Sequence, residues 1–110
     1  MFKDLAQLGG LLGKAKQMSD AISEARERIS KARFTGRSAD GAVEIDVLGD
    51  QHVLACRIVS SGESDAVLAQ DVVEATNDAL RQLQAFAAEE MQKVSGGLDL
   101  GPLQGLLGGR

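Results

Sequence analysis

Apolar residues recur along the first third of the chain with a helical beat. Leu8, Leu11, Ala15, Met18, Ile22, Ala25, Ile29 and Ala32 are separated alternately by three and four residues. That is a heptad stripe along one face of an α-helix. The positions between them are mostly Lys, Gln, Ser, Asp, Glu and Arg. The spacing predicts a helix over 11–32, with residues 1–10, ending at Gly9-Gly10, as a loose lead-in. Such a helix cannot bury its stripe alone. It needs a second helix, from the same chain or from another copy.

The period then shortens to two. Val43, Ile45 and Val47 alternate with Glu44 and Asp46, and Leu54, Cys56 and Ile58 alternate with Ala55 and Arg57. Each run reads as a half-buried strand. Phe34 and Thr35 read as a first short strand before Gly36. Asp40-Gly41 and Gly49-Asp50 are turn pairs, each expected to use its glycine for a positive φ. The outcome is a three-stranded antiparallel meander with one apolar and one polar face. Cys56 falls on the apolar face, where a buried thiol is inert.

From Asp65 to Ser95 there is no Gly or Pro, which predicts a second long helix after the Ser60–Ser64 loop, with Ser64 or Asp65 as N-cap. Val72, Val73, Thr76, Leu80, Leu83, Ala87, Met91 and Val94 form its stripe, widened by Ala75, Ala79 and Phe86. Gly96-Gly97 ends it. The expected organisation is a single domain over 1–97 and a flexible Gly- and Leu-rich tail over 98–110.

Composition narrows the class. The chain has 110 residues, 44% hydrophobic and 25% charged, which suits one small globular domain. With three Phe and no Trp or Tyr, Ala and Leu must build the core, which favours closely approaching helices. One Cys makes no intramolecular disulfide, and one Cys with one His makes no zinc site. No apolar run approaches the roughly 20 residues needed to span a bilayer. The first residues lack a signal-peptide pattern, so the expected location is cytoplasmic.

Charge is segregated. Residues 1–37 hold eight bases against four acids, net +4; residues 38–110 hold four bases against twelve acids, net -8. On composition alone a solvated helix face explains the first segment more readily than a polyanion surface does, since the chain as a whole is acidic. Lys14, Lys16, Arg26, Arg28, Lys31, Arg33 and Arg37 are nevertheless spaced to meet phosphates of a duplex, which needs only cations. The scarcity of aromatics disfavours stacking on single strands.

No arrangement of catalytic groups emerges. Gly9 to Ala15 lacks the residues of a phosphate-binding loop, and no strand precedes it. His52 reads as a surface turn residue without a carboxylate nearby in sequence. Glu89-Glu90 and Asp71-Glu74 read as helix surface charges, and Asn77 and Asp78 as structural. Neither a cofactor, a metal nor a small-molecule substrate is expected, and the chain is read as a non-enzyme.

Several short segments, in order, resemble the YbaB/EbfC family of bacterial nucleoid-associated DNA-binding proteins, over roughly residues 2–98. They are Phe34-Thr35-Gly36, the run Asp40 to Val47 with the Gly49 turn, Asp71 to Ala79 with its Asn77-Asp78-Ala79, and Met91 to Leu98 with Ser95-Gly96-Gly97. The resemblance implies an α+β fold, an α-β-β-β-α subunit in a tweezer-like homodimer. It also implies binding of double-stranded DNA with little sequence preference and a place on the nucleoid. The first helix departs from the family pattern in its Ser, Glu and Arg content, and Ser60 to Ser64 lacks an Asp-Pro. The heptad stripe and the second helix assign the homodimer interface to Met18, Ile22, Ala25, Ile29, Leu80, Leu83, Ala87 and Met91. The rival expectation is a dimeric protein-interaction scaffold that binds no DNA, motivated by Glu44, Asp46, Asp50 and the Leu-rich tail.

Overall fold

The computed structural model describes residues 2–59 and 62–97, with side-chain surroundings from Gln7 to Gly96. The expected tail over 98–110, and Ser60 and Ser61 of the expected loop, lie outside the described residues. The element order is α1 (Phe2–Lys31), β1 (Arg33–Arg37), β2 (Val43–Leu48), β3 (His52–Ile58) and α2 (Asp65–Gly97). This is the α-β-β-β-α layout that the sequence predicts.

Helix α1 is longer than its stripe suggests. It runs through Gly9, Gly10 and Gly13, so residues 2–10 are helical rather than a loose lead-in. A glycine in a helix interior costs about 1 kcal/mol against Ala. Unlike proline, it keeps its N–H, so the ladder need not break. Arg28 and Lys31 occupy the last turn, where cations meet the negative end of the helix dipole.

The sheet has the order β1-β2-β3, antiparallel throughout. Phe34 pairs with Val47 and Gly36 with Ile45, while Glu44 pairs with Arg57 and Ile45 with Cys56. Gly41 takes φ 75° as expected, but in the second turn the positive φ falls on Gln51 (φ 72°), not on Gly49. Gly49 is required for a different reason. A Cβ there would strike the Ile29 carbonyl oxygen at the end of α1.

Ser64 caps α2: its Oγ accepts the Val67 N–H at 3.2 Å. The helix lies over β1 and β2. Ala75, Ala79 and Leu83 bury against Val43, Ile45 and Val47, with Phe34, Leu68 and Val72 packed at the margin. Phe34 and Phe86 meet at 5.6 Å between ring centroids, tilted by 60°. Full burial of a Val side chain contributes about 1.5–3 kcal/mol. Val43 and Val47 reach it because the small Ala side chains let the helix close on the sheet.

Among the described residues nothing covers strand β3 in this way. Cys56 is therefore exposed, not buried as the alternation suggests, and Val53, Leu54 and Ile58 are exposed with it. Alternation identifies a face, but it does not say whether a helix reaches that far.

The molecule is elongated. Its radius of gyration is 21.6 Å and its extents are 77 × 29 × 16 Å, against about 13 Å expected for a compact chain of this length. Much of α1, including residues 7–17, stands in solvent.

Candidate nucleic-acid interface

The cations of α1 fall into two sets. Lys14, Lys16 and Arg26 are exposed and have no carboxylate within 4.0 Å among the described residues. Lys14 and Lys16 lie on the part of α1 that projects into solvent. The other set is paired. Arg28 Nη2 lies 3.0 Å from Glu90 Oε2 on α2, and Lys31 Nζ lies 2.9 Å from Glu27 Oε1 one turn earlier. The Lys31 ammonium holds the Glu27 carboxyl below its ordinary pKa, mainly by hydrogen bonding.

Arg33 and Arg37 leave the helix and join the polar face of the sheet. Arg33 Nη2 donates to Asp46 Oδ2 at 3.1 Å, and Arg37 Nε donates to Glu44 Oε2 at 2.7 Å. Arg57 completes the network, with 2.7 and 3.0 Å bonds to the two Asp46 oxygens and a 3.2 Å bond to Glu44. Thr35 Oγ1 also donates to Asp46, at 2.7 Å. These donors, led by Arg57 and Thr35, hold the Asp46 carboxyl well below the usual carboxylate range; Arg37 and then Arg57 lower that of Glu44. Three guanidinium groups thus share two carboxylates. Sequence reasoning did not place Arg57 in this cluster, because it lies in the acidic part of the chain. The available signal was its alternation with Cys56 and Ile58, which puts it on the polar face.

Helix α2 also closes one sheet edge. The Arg37 N–H donates to Asp78 Oδ2 at 2.9 Å, and the Ala39 N–H donates to Glu74 Oε1 at 3.0 Å. Gln82 Nε2 donates to the Thr35 carbonyl at 2.7 Å. The three side chains stand at four-residue spacing on α2 and occupy outward backbone groups at and just beyond β1. Asp78 is structural, as its sequence context suggests. Two sequence expectations are corrected here. Asp71 and Glu90 are buried rather than surface charges, because they sit on the side of α2 turned toward the sheet or toward α1. His52 does have a nearby carboxylate: its Nδ1 lies 2.8 Å from Asp50 Oδ1, on the exposed turn.

The expected dimer residues are divided between environments. Ala25 and Leu83 are buried within the single chain. Met18, Ile22, Ile29, Ala87 and Met91 are half-buried, and Leu80 is exposed. The apolar groups left open are on and after β3, where Val53 is 61% exposed, Ile58 54% and Val59 69%. On α1, Leu8, Leu11 and Leu12 are also exposed. Among the described residues no helix is long and apolar enough to cross a membrane.

Comparison with known proteins agrees with this architecture. The solved structure of the uncharacterized protein HP0035 from Helicobacter pylori is similar in fold, with a TM-score of 0.57 at 24% identity; the match covers 84% of this chain and 92% of that one. The model of the YbaB/EbfC DNA-binding family matches residues 3–98, nearly the whole of the two helices and the sheet between them. The chain belongs to the YbaB/EbfC DNA-binding family.

Proposed function

We propose that this protein is a non-catalytic nucleoid-associated protein of the cytoplasm that binds double-stranded DNA as a homodimer, through phosphate contacts and with little sequence preference. The observation that carries the reading is the set of exposed α1 cations that have no carboxylate partner among the described residues, Lys14, Lys16 and Arg26. A cation already paired with a carboxylate must give up that partner to take a phosphate. An unpaired one has only water and counterions to lose, and releasing counterions from DNA drives association. Arg28, Lys31, Arg33 and Arg37 are secondary contacts in this reading. No cofactor, metal or substrate is needed for backbone binding.

The homodimer rests on surface that one chain leaves uncovered. Among the described residues the outer edge of β3 has no neighbouring strand, and exposed edges with apolar side chains invite pairing. We place the centre of the interface there, around Val53 and Ile58, with Met18, Ile22, Ile29, Leu80, Ala87 and Met91 at its helical margin. A dimer doubles the set of free cations. At 100° per residue Lys14 and Lys16 point roughly 160° apart on one helix, so one arm presents only one of them to a given strand.

Fluorescence anisotropy of a labelled duplex across a salt series tests the reading. The wild type should bind with steep salt dependence. The triple variant Lys14→Gln, Lys16→Gln, Arg26→Gln should lose affinity and flatten the log–log slope by about 0.9 for each phosphate contact removed. Ile58→Glu should halve the mass in light scattering and weaken DNA binding with it. Absence of binding at low salt would sink the DNA reading and leave the interaction scaffold. Unchanged binding by the triple variant would move the contacts to the paired arginines.

A further inference from the structure

A group of carboxylates at the opposite end of α2 from Glu90 plays no part in the DNA reading. Asp40 lies in the turn between β1 and β2, Glu63 in the segment entering α2, and Asp71 on the buried side of α2. One oxygen from each lies within 4.8 Å of the other two. Asp71 is only 5% exposed. Its Oδ2 is buried and has no hydrogen-bond partner, which for an ionised carboxylate is costly. Asp40 Oδ1 is occupied: it accepts from Ser38 Oγ at 2.7 Å and from the Ala42 N–H at 3.0 Å. Among the described residues no Lys or Arg forms an ion pair with any of the three.

We propose that Asp40, Glu63 and Asp71 hold a hard divalent cation, with Ca2+ preferred to Mg2+. The donor set is all oxygen, the chemistry these ions take. Rigidity separates the two. Ca2+ takes six to eight oxygens in flexible geometry, whereas Mg2+ demands a near-ideal octahedron and gives up its water reluctantly. Three carboxylates from separate segments, not built to one fixed geometry, suit the more tolerant ion. The cation supplies a partner for the orphaned Asp71 oxygen. It also ties the β1–β2 turn and the approach to α2 to the helix itself. Two of the three carboxylates are exposed, which puts the affinity in the weaker class of calcium sites, with Kd of about 0.1–1 mM.

Calorimetric titration of the full chain with CaCl2 tests this, at constant ionic strength and at about pH 7.5, where free carboxyls are ionised. Thermal unfolding accompanies it. The expected result is one saturable site per chain and a Tm raised by roughly 5–10 °C at tenfold over Kd. MgCl2 should bind more weakly. Asp71→Asn should abolish the heat and the Tm shift, Glu63→Gln should weaken binding at least tenfold, and the distant Glu89→Gln should change neither. Should Asp71→Asn fail to fold, Glu63→Gln decides, since Glu63 is exposed and accepts no hydrogen bond among the described residues. No saturable binding of CaCl2 up to about 10 mM, well above the weakest Kd of that class, would overturn the site. So would wild-type affinity in Glu63→Gln.

Discussion

The Arg28 guanidinium on α1 reaches 3.0 Å to a Glu90 carboxylate on α2 whose side chain is only 7% exposed. The pair ties the last turn of α1 to α2, and it is asymmetric. Arg28 stays half in water, so loss of Glu90 leaves an arginine that solvent can satisfy. Loss of Arg28 leaves a buried carboxylate with only Lys93 at 4.0 Å. Arg28→Ala should therefore cost about 1–3 kcal/mol, and Glu90→Gln should cost less. Urea unfolding of both variants checks the order. If Arg28 were chiefly a DNA contact, its loss would instead lower duplex affinity and leave stability unchanged.

Gly36 is the point of closest approach between sheet and helix. A Cβ there would collide with the Ala75 carbonyl oxygen and the Ala79 nitrogen, both backbone atoms that cannot swing aside. Gly36→Ala should lower stability by at least about 3 kcal/mol, at the upper end of overpacking penalties, and the loss should show as an earlier denaturation midpoint. Gly41→Ala offers a contrast: nothing lies within 4 Å of its Cβ, and only its positive φ of 75° opposes the change. It should cost less.

The network around Asp46 sets a pH dependence. Arg57, Thr35 and Arg33 favour the ionised form, so the folded-state pKa lies below the unfolded one. A depressed carboxyl pKa contributes stability that is present above the unfolded value, about 3.9, and is lost as pH falls through the folded value. Glu44 acts in the same direction. Stability should thus fall progressively below about pH 5. Asp46→Asn should be less stable than wild type near neutral pH and should lose less on acidification. Denaturation midpoints at neutral and acidic pH measure both. An identical acid dependence in wild type and variant would show that Asp46 contributes nothing to it.

The element order was legible in the chain because each period is local. The heptad spacing from Leu8 to Ala32 and the alternation from Val43 to Val47 need no knowledge of distant residues. Gly41 and Ser64 were legible for the same reason, since a turn and a cap depend on a few neighbours. The start of α1 was misjudged because Gly9-Gly10 lowers helix propensity without forbidding a helix. The candidate DNA surface was legible only as a list of cations.

The partners of those cations belong to tertiary structure. The sequence by itself determined the order and type of the five elements, and that positive charge gathers up to Arg37. Only the folded arrangement decided that Arg28 is held by Glu90, that Arg33 and Arg37 share Asp46 and Glu44 with Arg57, and that Asp71 is buried beside Asp40. The same holds for β3, whose apolar residues look like core until the position of α2 over β1 and β2 leaves them open. The physical reason is common to all of these. Backbone periodicity acts over a few residues, whereas pairing and burial depend on groups brought together from as far apart as Arg28 and Glu90.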